Sequence, residues 1–247
     1  MNKKLFLTLL IACASVSAMA VDLPKQGFGL QIGWAQPILR LNSVDNPTSA
    51  KDSLSTVVKM NGFKVGLTYD ASYIAGFGST IGINYTFGAY NSGWKAAGII
   101  AEYPRSRQLI TFHELEVFVD WQYKFEVAKE TYLMLYTGPT IQCGIQMDMR
   151  ADHQADYGAP IEHNHYDGYK SDNENEQFKR LNVTWGVGAG FQYKRYFVRG
   201  GYDFGLLNPY AHKQFVDPTT GLPVDRYTRG RLDQWSVKIG VYLWYAE

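Results

Sequence analysis

This chain of 247 residues is short of three things: long apolar runs, cysteines and any excess of one charge. Beyond its first 20 residues no segment approaches the roughly 18 consecutive apolar residues that a membrane-crossing helix needs. That excludes helical spans. The chain has 2 cysteines, Cys13 and Cys143, so if the head carrying Cys13 is removed no intramolecular disulfide can form. Its 24 Lys+Arg stand against 23 Asp+Glu, a net charge of +1. A balance this close gives no electrostatic case for nucleic acid or another polyanion as partner.

Aromatics and glycine are plentiful instead: 18 Tyr, 6 Trp and 24 Gly. Together they suit β structure with interfacial aromatic belts better than a helical enzyme. The head reads as an export signal, with basic Asn2-Lys3-Lys4, apolar Leu5–Ala12 and the cleavage pattern Ala18-Met19-Ala20. Residues 1–20 are therefore expected to be cleaved after Ala20, leaving one domain, 21–247. Leu10-Ile11-Ala12-Cys13 keeps a second reading open, lipidation at Cys13. The segment before Cys13 is short for a lipoprotein signal, which favours cleavage after Ala20.

Eight segments alternate with period two, the mark of strands with two unlike faces. They are Gly27–Ala35, Gly62–Asp70, Thr80–Ala89, Phe112–Phe125, Tyr132–Gln142, Leu181–Tyr193, Tyr196–Leu207 and Gln234–Tyr245. In the last, Trp235, Val237, Ile239, Val241, Leu243 and Tyr245 oppose Gln234, Ser236, Lys238 and Gly240. A strand of this kind at a chain end is a sticky edge unless it pairs, here with the first strand. The fifth segment leaves its phase open between Leu133/Leu135 and Met134/Tyr136, and Pro139 requires a strand end or an irregular pairing. Connections alternate between short (Ala71–Gly78, Glu126–Thr131, Lys194–Arg195) and long (Gln36–Asn61, Tyr90–Ile110, Cys143–Arg180, Asn208–Arg231). The pattern predicts an all-β fold: an eight-stranded antiparallel up-and-down transmembrane β-barrel with four long external loops and three short periplasmic turns. Asp148–Gln177, the most hydrophilic stretch, is expected to be a mobile loop.

A soluble lipocalin-like barrel alternates in the same way with its apolar face inward. Gly186, Gly188 and Gly190 on the polar face argue otherwise, because glycine there makes room in a narrow lumen and gains nothing in solvent. Trp34, Trp121, Trp185 and Trp235 on the apolar face are too bulky for the inside of eight strands. Aromatics also gather at strand ends. Tyr69/Tyr73, Tyr123/Phe125, Tyr193/Tyr196 and Trp244/Tyr245 lie on the short-turn side, and Trp34, Tyr85/Phe87 and Phe204 toward the loops, as interfacial girdles do.

With the polar face inward, Lys64, Lys124, Arg199 and Lys238 share the lumen with Glu114, Glu116, Asp120 and Asp203. Equal numbers of each sign suit an ion-paired plug, since buried charges must pair to offset desolvation. The other reading is a constricted pore or proton-accessible path. His113-Glu114 is the only His–carboxylate pair near a strand mouth, and no Ser is placed beside it by sequence, so a catalytic site is not expected. His153, His163 and His165 among Asp152, Asp156, Glu162 and Asp167 lack the fixed spacing of a metal centre. No cofactor is expected. Arg226–Arg231 could meet anionic lipopolysaccharide or serve as a solvated strand entry.

Lys238-x-Gly240-x-x-Leu243-x-Tyr245 resembles the C-terminal signal read by the barrel assembly machinery, though Ala246-Glu247 follow the aromatic. Phe28–Gly33 and Tyr196–Leu206 resemble the outer-membrane β-barrel (porin) family of Bacteroidetes, including PorT-like and OmpX-like eight-stranded members. The resemblance implies a non-enzymatic barrel in the outer membrane of a Gram-negative bacterium, in contact with outer-membrane lipid and lipopolysaccharide. For PorT-like members it implies a role in secretion. No partner for the loops can be read from these residues. Gly240→Arg or Tyr245→Asp should lower assembly into the outer membrane, read by blotting membrane fractions with and without heating. Normal insertion of both variants would overturn the reading of the last strand.

Overall fold

A computed structural model describes residues 26–43, 55–96, 105–154, 159–169, 178–209, 215–216, 223–224 and 228–246. The expected signal segment, residues 1–20, lies outside them. Eight strands carry the wall: β1 (Gln26–Ser43), β3 (Asn61–Ile74), β4 (Phe77–Asn91), β6 (Arg105–Ala128), β7 (Thr131–Gln154), β9 (Leu181–Tyr193), β10 (Tyr196–Gly205) and β13 (Thr228–Ala246). Short strands β2 (Ser55–Lys59), β5 (Lys95–Ala96) and β8 (Ile161–Asp167) extend the wall on the long-loop side, against β1, β6 and β7. β11 (Phe215–Val216) and β12 (Pro223–Val224) pair separately.

Each wall strand pairs antiparallel with its sequence neighbour, and β1 pairs with β13 from Gln26↔Ala246 to Ser43↔Thr228. The sheet is a closed ring of eight strands. Closure leaves no bare edge on the wall, which is the reason an amphipathic terminal strand is tolerated here. On the short-turn side the hairpins need only the pairs Ala75-Gly76, Lys129-Glu130 and Lys194-Arg195. Ala75, Gly76, Glu130 and Lys194 have positive φ, as tight hairpins demand.

The strands overrun the expected loops. β6 begins at Arg105 and β7 continues to Gln154, where β8 pairs with it. Much of Tyr90–Ile110 and Cys143–Arg180 is therefore paired sheet. Alternation did not reveal this, because the outer face there is polar and a bulge between His113 and Glu114 shifts the register of β7 against β6. Within Asp148–Gln177, residues 155–158 and 170–177 lie outside the described part.

The faces divide as the alternation required. Trp34, Trp121, Trp185 and Trp235 are each about two-fifths to one-half exposed on the outside, in a belt with Leu30, Ile32, Leu67, Ile83, Val237 and Ile239. In β7 Leu133 and Leu135 face out, while Met134 and Tyr136 are buried inside. Their inward neighbours on β9 are Gly190 and Gly188. A methyl group on Gly188 would strike the Tyr136 ring, and one on Gly82 the Phe118 ring. Glycine buys space for rings in a lumen this narrow. Pro139 pairs with Trp185 on β9, but the β6–β7 ladder lapses between Phe118↔Thr140 and Trp121↔Thr137. Lacking an N–H, proline sits where a ladder bond is absent.

Candidate functional site

The lumen is built in tiers from inward positions of the eight strands. On the short-turn side Met134, Phe197 and Tyr242 form an apolar floor, with the Phe197 and Tyr242 rings 4.7 Å apart. Directly above, Lys124 Nζ donates to Asp70 Oδ2 at 2.7 Å and to Gln192 Oε1 at 3.1 Å. Tyr242 OH donates to the same Asp70 oxygen at 2.5 Å, and Gln122 donates to the other one. Arg199 occupies the middle tier. Its Nη2 donates to Gln122 Oε1 at 2.7 Å and Thr80 Oγ1 at 2.9 Å, its Nη1 is 3.8 Å from Asp120, and its guanidinium lies 4.8 Å from the Tyr136 ring centre.

The upper tier centres on Glu116. Lys64 Nζ meets Glu116 Oε2 at 2.7 Å and also donates to Gln234. Thr86 Oγ1 donates to Glu116 Oε1 at 2.9 Å, and Asn84 and Gln234 donate to the carboxylate at 3.2 Å. All of these side chains are buried. Such a network is tolerable only because most of its polar atoms have partners, since each unmet one costs desolvation without return. Above it, Leu39, Val58, Met60, Ile110, Phe112, Met147 and Phe178 close the outer end as an apolar cluster.

All eight lumen charges read from the sequence face inward, and three of the four cations lie near a carboxylate: Lys64 with Glu116, Lys124 with Asp70 and Arg199 with Asp120. Asp70 was not among the eight. It continues the period of Lys64, Gly66 and Thr68, so the signal for it was present. Lys238 does not find a carboxylate within 4.0 Å among the described residues; its Nζ lies 5.1 Å from the Phe118 ring centre. Among the described residues Glu114 and Asp203 have no cation within that distance either, and Glu114 Oε1 is buried with no hydrogen-bond partner among them. Lys238, Asp203, Asp120 and Lys64 border a space of about 10 Å³, roughly the room one water needs.

The other candidates separate. His113 faces out, bonded to Tyr85 and 5.0 Å from the Phe87 ring centre, whereas Glu114 faces the lumen. Neighbours on opposite faces of a strand cannot act on one substrate. His163 lies on β8 and bonds Asp152 Oδ1 at 2.7 Å; the described residues hold no cluster of three metal-ligating side chains. Gly240 and Lys238 face inward, Leu243 faces out, and the Tyr245 side chain lies outside the described part. So do Arg226 and Tyr227.

Two further carboxylates sit on the outer face, toward the long loops: Asp152, read from the sequence only as a neighbour of the loop histidines, and Asp233, which was not singled out. Asp152 is held by Arg107 Nε at 2.7 Å and Arg150 Nε at 2.6 Å, and the Arg107 guanidinium lies 4.8 Å from the Trp94 ring centre. Asp233 is held by Arg40, Arg231, Tyr202 and the Gly205 N–H. Both carboxylates are fully buried. Asp233 was overlooked because it falls in the outward phase, two residues beyond Trp235, where the alternation is read as apolar.

No family model and no curated protein matches this chain. Among solved structures, Ail of Yersinia pestis is similar at TM-score 0.40 and 10% identity, over 88% of this chain and 98% of that one. Neisserial surface protein A matches at TM-score 0.40 and 14% identity, over 88% and 97%. The N-terminal β-barrel domain of Pseudomonas aeruginosa OprF matches at TM-score 0.23 and 9% identity, over 86% and 96%. At these scores the reading of the chain rests on its own faces and lumen.

Removing one partner of a buried pair strands the other charge. Lys64→Met should therefore lower stability by about 3–5 kcal/mol, measured by urea unfolding of the barrel in lipid vesicles. Adding Glu116→Gln, whose amide oxygen can accept from Asn84 while its NH2 group donates to the Thr86 hydroxyl, should recover much of the loss. Equal stability of Lys64→Met and wild type would show that the pair carries no weight.

Proposed function

We propose that this chain is a non-enzymatic integral outer-membrane β-barrel of a Gram-negative bacterium, exported with a signal cleaved after Ala20. Its lumen is a plug, and its extended outer strands and loops are the working surface. One observation carries this reading: an apolar, tryptophan-bearing belt outside a ring whose polar interior is filled and capped at both ends. A soluble barrel would place those faces the other way round. Lipid fits the belt because the ladder closes around the ring and pairs the backbone of the described wall strands with one another, apart from the lapse beside Pro139.

Outer-membrane lipid and lipopolysaccharide are then the permanent surroundings. The barrel assembly machinery is the partner during insertion, reading Lys238, Gly240, Leu243 and Tyr245. A porin-family, PorT-like identity within Bacteroidetes, with a secretion or transport role, is the finer form of this proposal and rests on the residues of β1 and β10. The narrow-pore alternative must contend with Arg199, Lys64 and Gln122, all buried across the lumen.

Recording from single proteins refolded into a planar bilayer tests the plug. The expected outcome is the absence of stable conductance steps. Large, long-lived steps would overturn it.

A further inference from the structure

The Asp233 cluster has more cation than its carboxylate uses. Arg231 alone engages Asp233 side-on, with Nε 2.8 Å from Oδ1 and Nη2 2.9 Å from Oδ2. That bidentate geometry already neutralises the charge. Arg40 adds a second guanidinium through Nε only, at 2.9 Å, which leaves its two terminal nitrogens outside the carboxylate contact. The exposures are lopsided: Asp233 is fully covered, while the Arg40 and Arg231 side chains are 43% and 46% exposed. Of the charged groups of this cluster only the cations are exposed, and they come from neighbouring strands, Arg40 of β1 opposite Arg231 of β13.

The position is equally specific. Asp233 is two residues beyond Trp235 on the outward face, about 7 Å along the strand. Tyr202, which donates to Asp233 at 2.7 Å, packs edge-on against Trp235 and lies 4.7 Å from the Phe204 ring. Trp235, one outward position nearer the short turns, is exposed, and so are Phe204 on the neighbouring strand β10 and Leu206 just past its end. A charged pair directly over an aromatic and aliphatic surface, at the edge of an apolar belt, fits an amphiphile whose anionic head meets the guanidiniums and whose chains lie on the rings. Desolvating an arginine pair at such a boundary makes sense when an anion shares it, because planar guanidiniums bind phosphate in two-pronged fashion.

We infer that Arg40 and Arg231, held in place by Asp233 and Tyr202, form a binding site for the phosphate of a lipid headgroup in the outer leaflet, with Trp235 and Phe204 beneath its acyl chains. Asp233 is a positioning residue: it fixes both guanidiniums and stays out of reach of the ligand. The inference rests on the membrane reading above and names one component of the surrounding lipid.

The test uses the full chain refolded into phosphatidylcholine vesicles doped with diphosphoryl lipid A or with lipid A stripped of its phosphates. Lipid retained after mild detergent extraction is then counted by native mass spectrometry. Wild type should retain diphosphoryl lipid A and lose the stripped form. Arg40→Gln, which leaves Asp233 held by Arg231, should weaken retention about tenfold, the worth of one charge-assisted hydrogen bond. The triple variant Arg40→Gln/Arg231→Gln/Asp233→Asn should abolish the preference for phosphate. Heat-dependent migration on gels reports whether each variant is folded, and Arg40→Gln alone suffices if the triple variant is not. Equal retention by wild type and Arg40→Gln overturns the site. Displacement of the lipid by inorganic phosphate at millimolar concentration overturns the lipid as its ligand. A wild-type chain that never enters vesicles overturns the membrane reading itself, a separate result.

Discussion

Closure of the sheet by β1 against β13 is the constraint from which the rest follows. Eighteen register pairs, from Gln26↔Ala246 to Ser43↔Thr228, seal the ring. Without that seam the two terminal strands would each present a row of unpaired amides and carbonyls beside an apolar face, the most aggregation-prone arrangement a sheet can offer. With it, the wall has no edge, and its outer surface can carry an unbroken apolar belt. The seam is also why Lys238 and Tyr242 come to face residues of β6 and β3, which lie far from them in sequence.

A ring of eight strands leaves little interior volume, and the lumen is governed by that shortage. Four of its rings enter where a glycine faces them: Tyr136 over Gly188, Phe118 beside Gly82, Phe112 beside Gly88 and Phe197 beside Gly240. Cations enter only with partners. Lys64, Lys124 and Arg199 each recruit a carboxylate together with neutral acceptors, whereas Lys238 has an aromatic face. The apolar residues at the two ends keep bulk water from the tiers between them, so these contacts act in a low effective dielectric. The same dryness makes a lost partner costly.

The outer rim follows a different rule. There the sheet rises beyond the apolar belt, and its outward side chains are polar. Asp152 and Asp233 are covered by arginines and not by packing, so each buried carboxylate brings exposed cations to the surface around it. Strand extension and rim charge are thus one feature: β8 on β7 places His163 beside Asp152, as β1 on β13 places Arg40 beside Asp233.

Period-two alternation with glycine and tryptophan on opposite faces determined the strand count, the closing strand, the inside-out faces and the inward position of Lys64, Glu116, Asp120, Lys124 and Arg199. These are local properties, written every second residue. The phase of β7 was not legible, since Leu133/Leu135 and Met134/Tyr136 are equally apolar; only the glycines of β9 opposite Met134 and Tyr136 decide it. Which cation meets which carboxylate was not legible either. Lys124 takes Asp70, 54 residues away, and Lys238 takes none among the described residues, because cross-lumen distance depends on strand tilt and register around the whole ring. The rim sites were hidden for a related reason. A bulge shifts the register of β7, and the value of Asp233 lies in arginines contributed by its own strand and by its neighbour. Sequence period fixes which way a side chain points, and only the closed ring fixes what it points at.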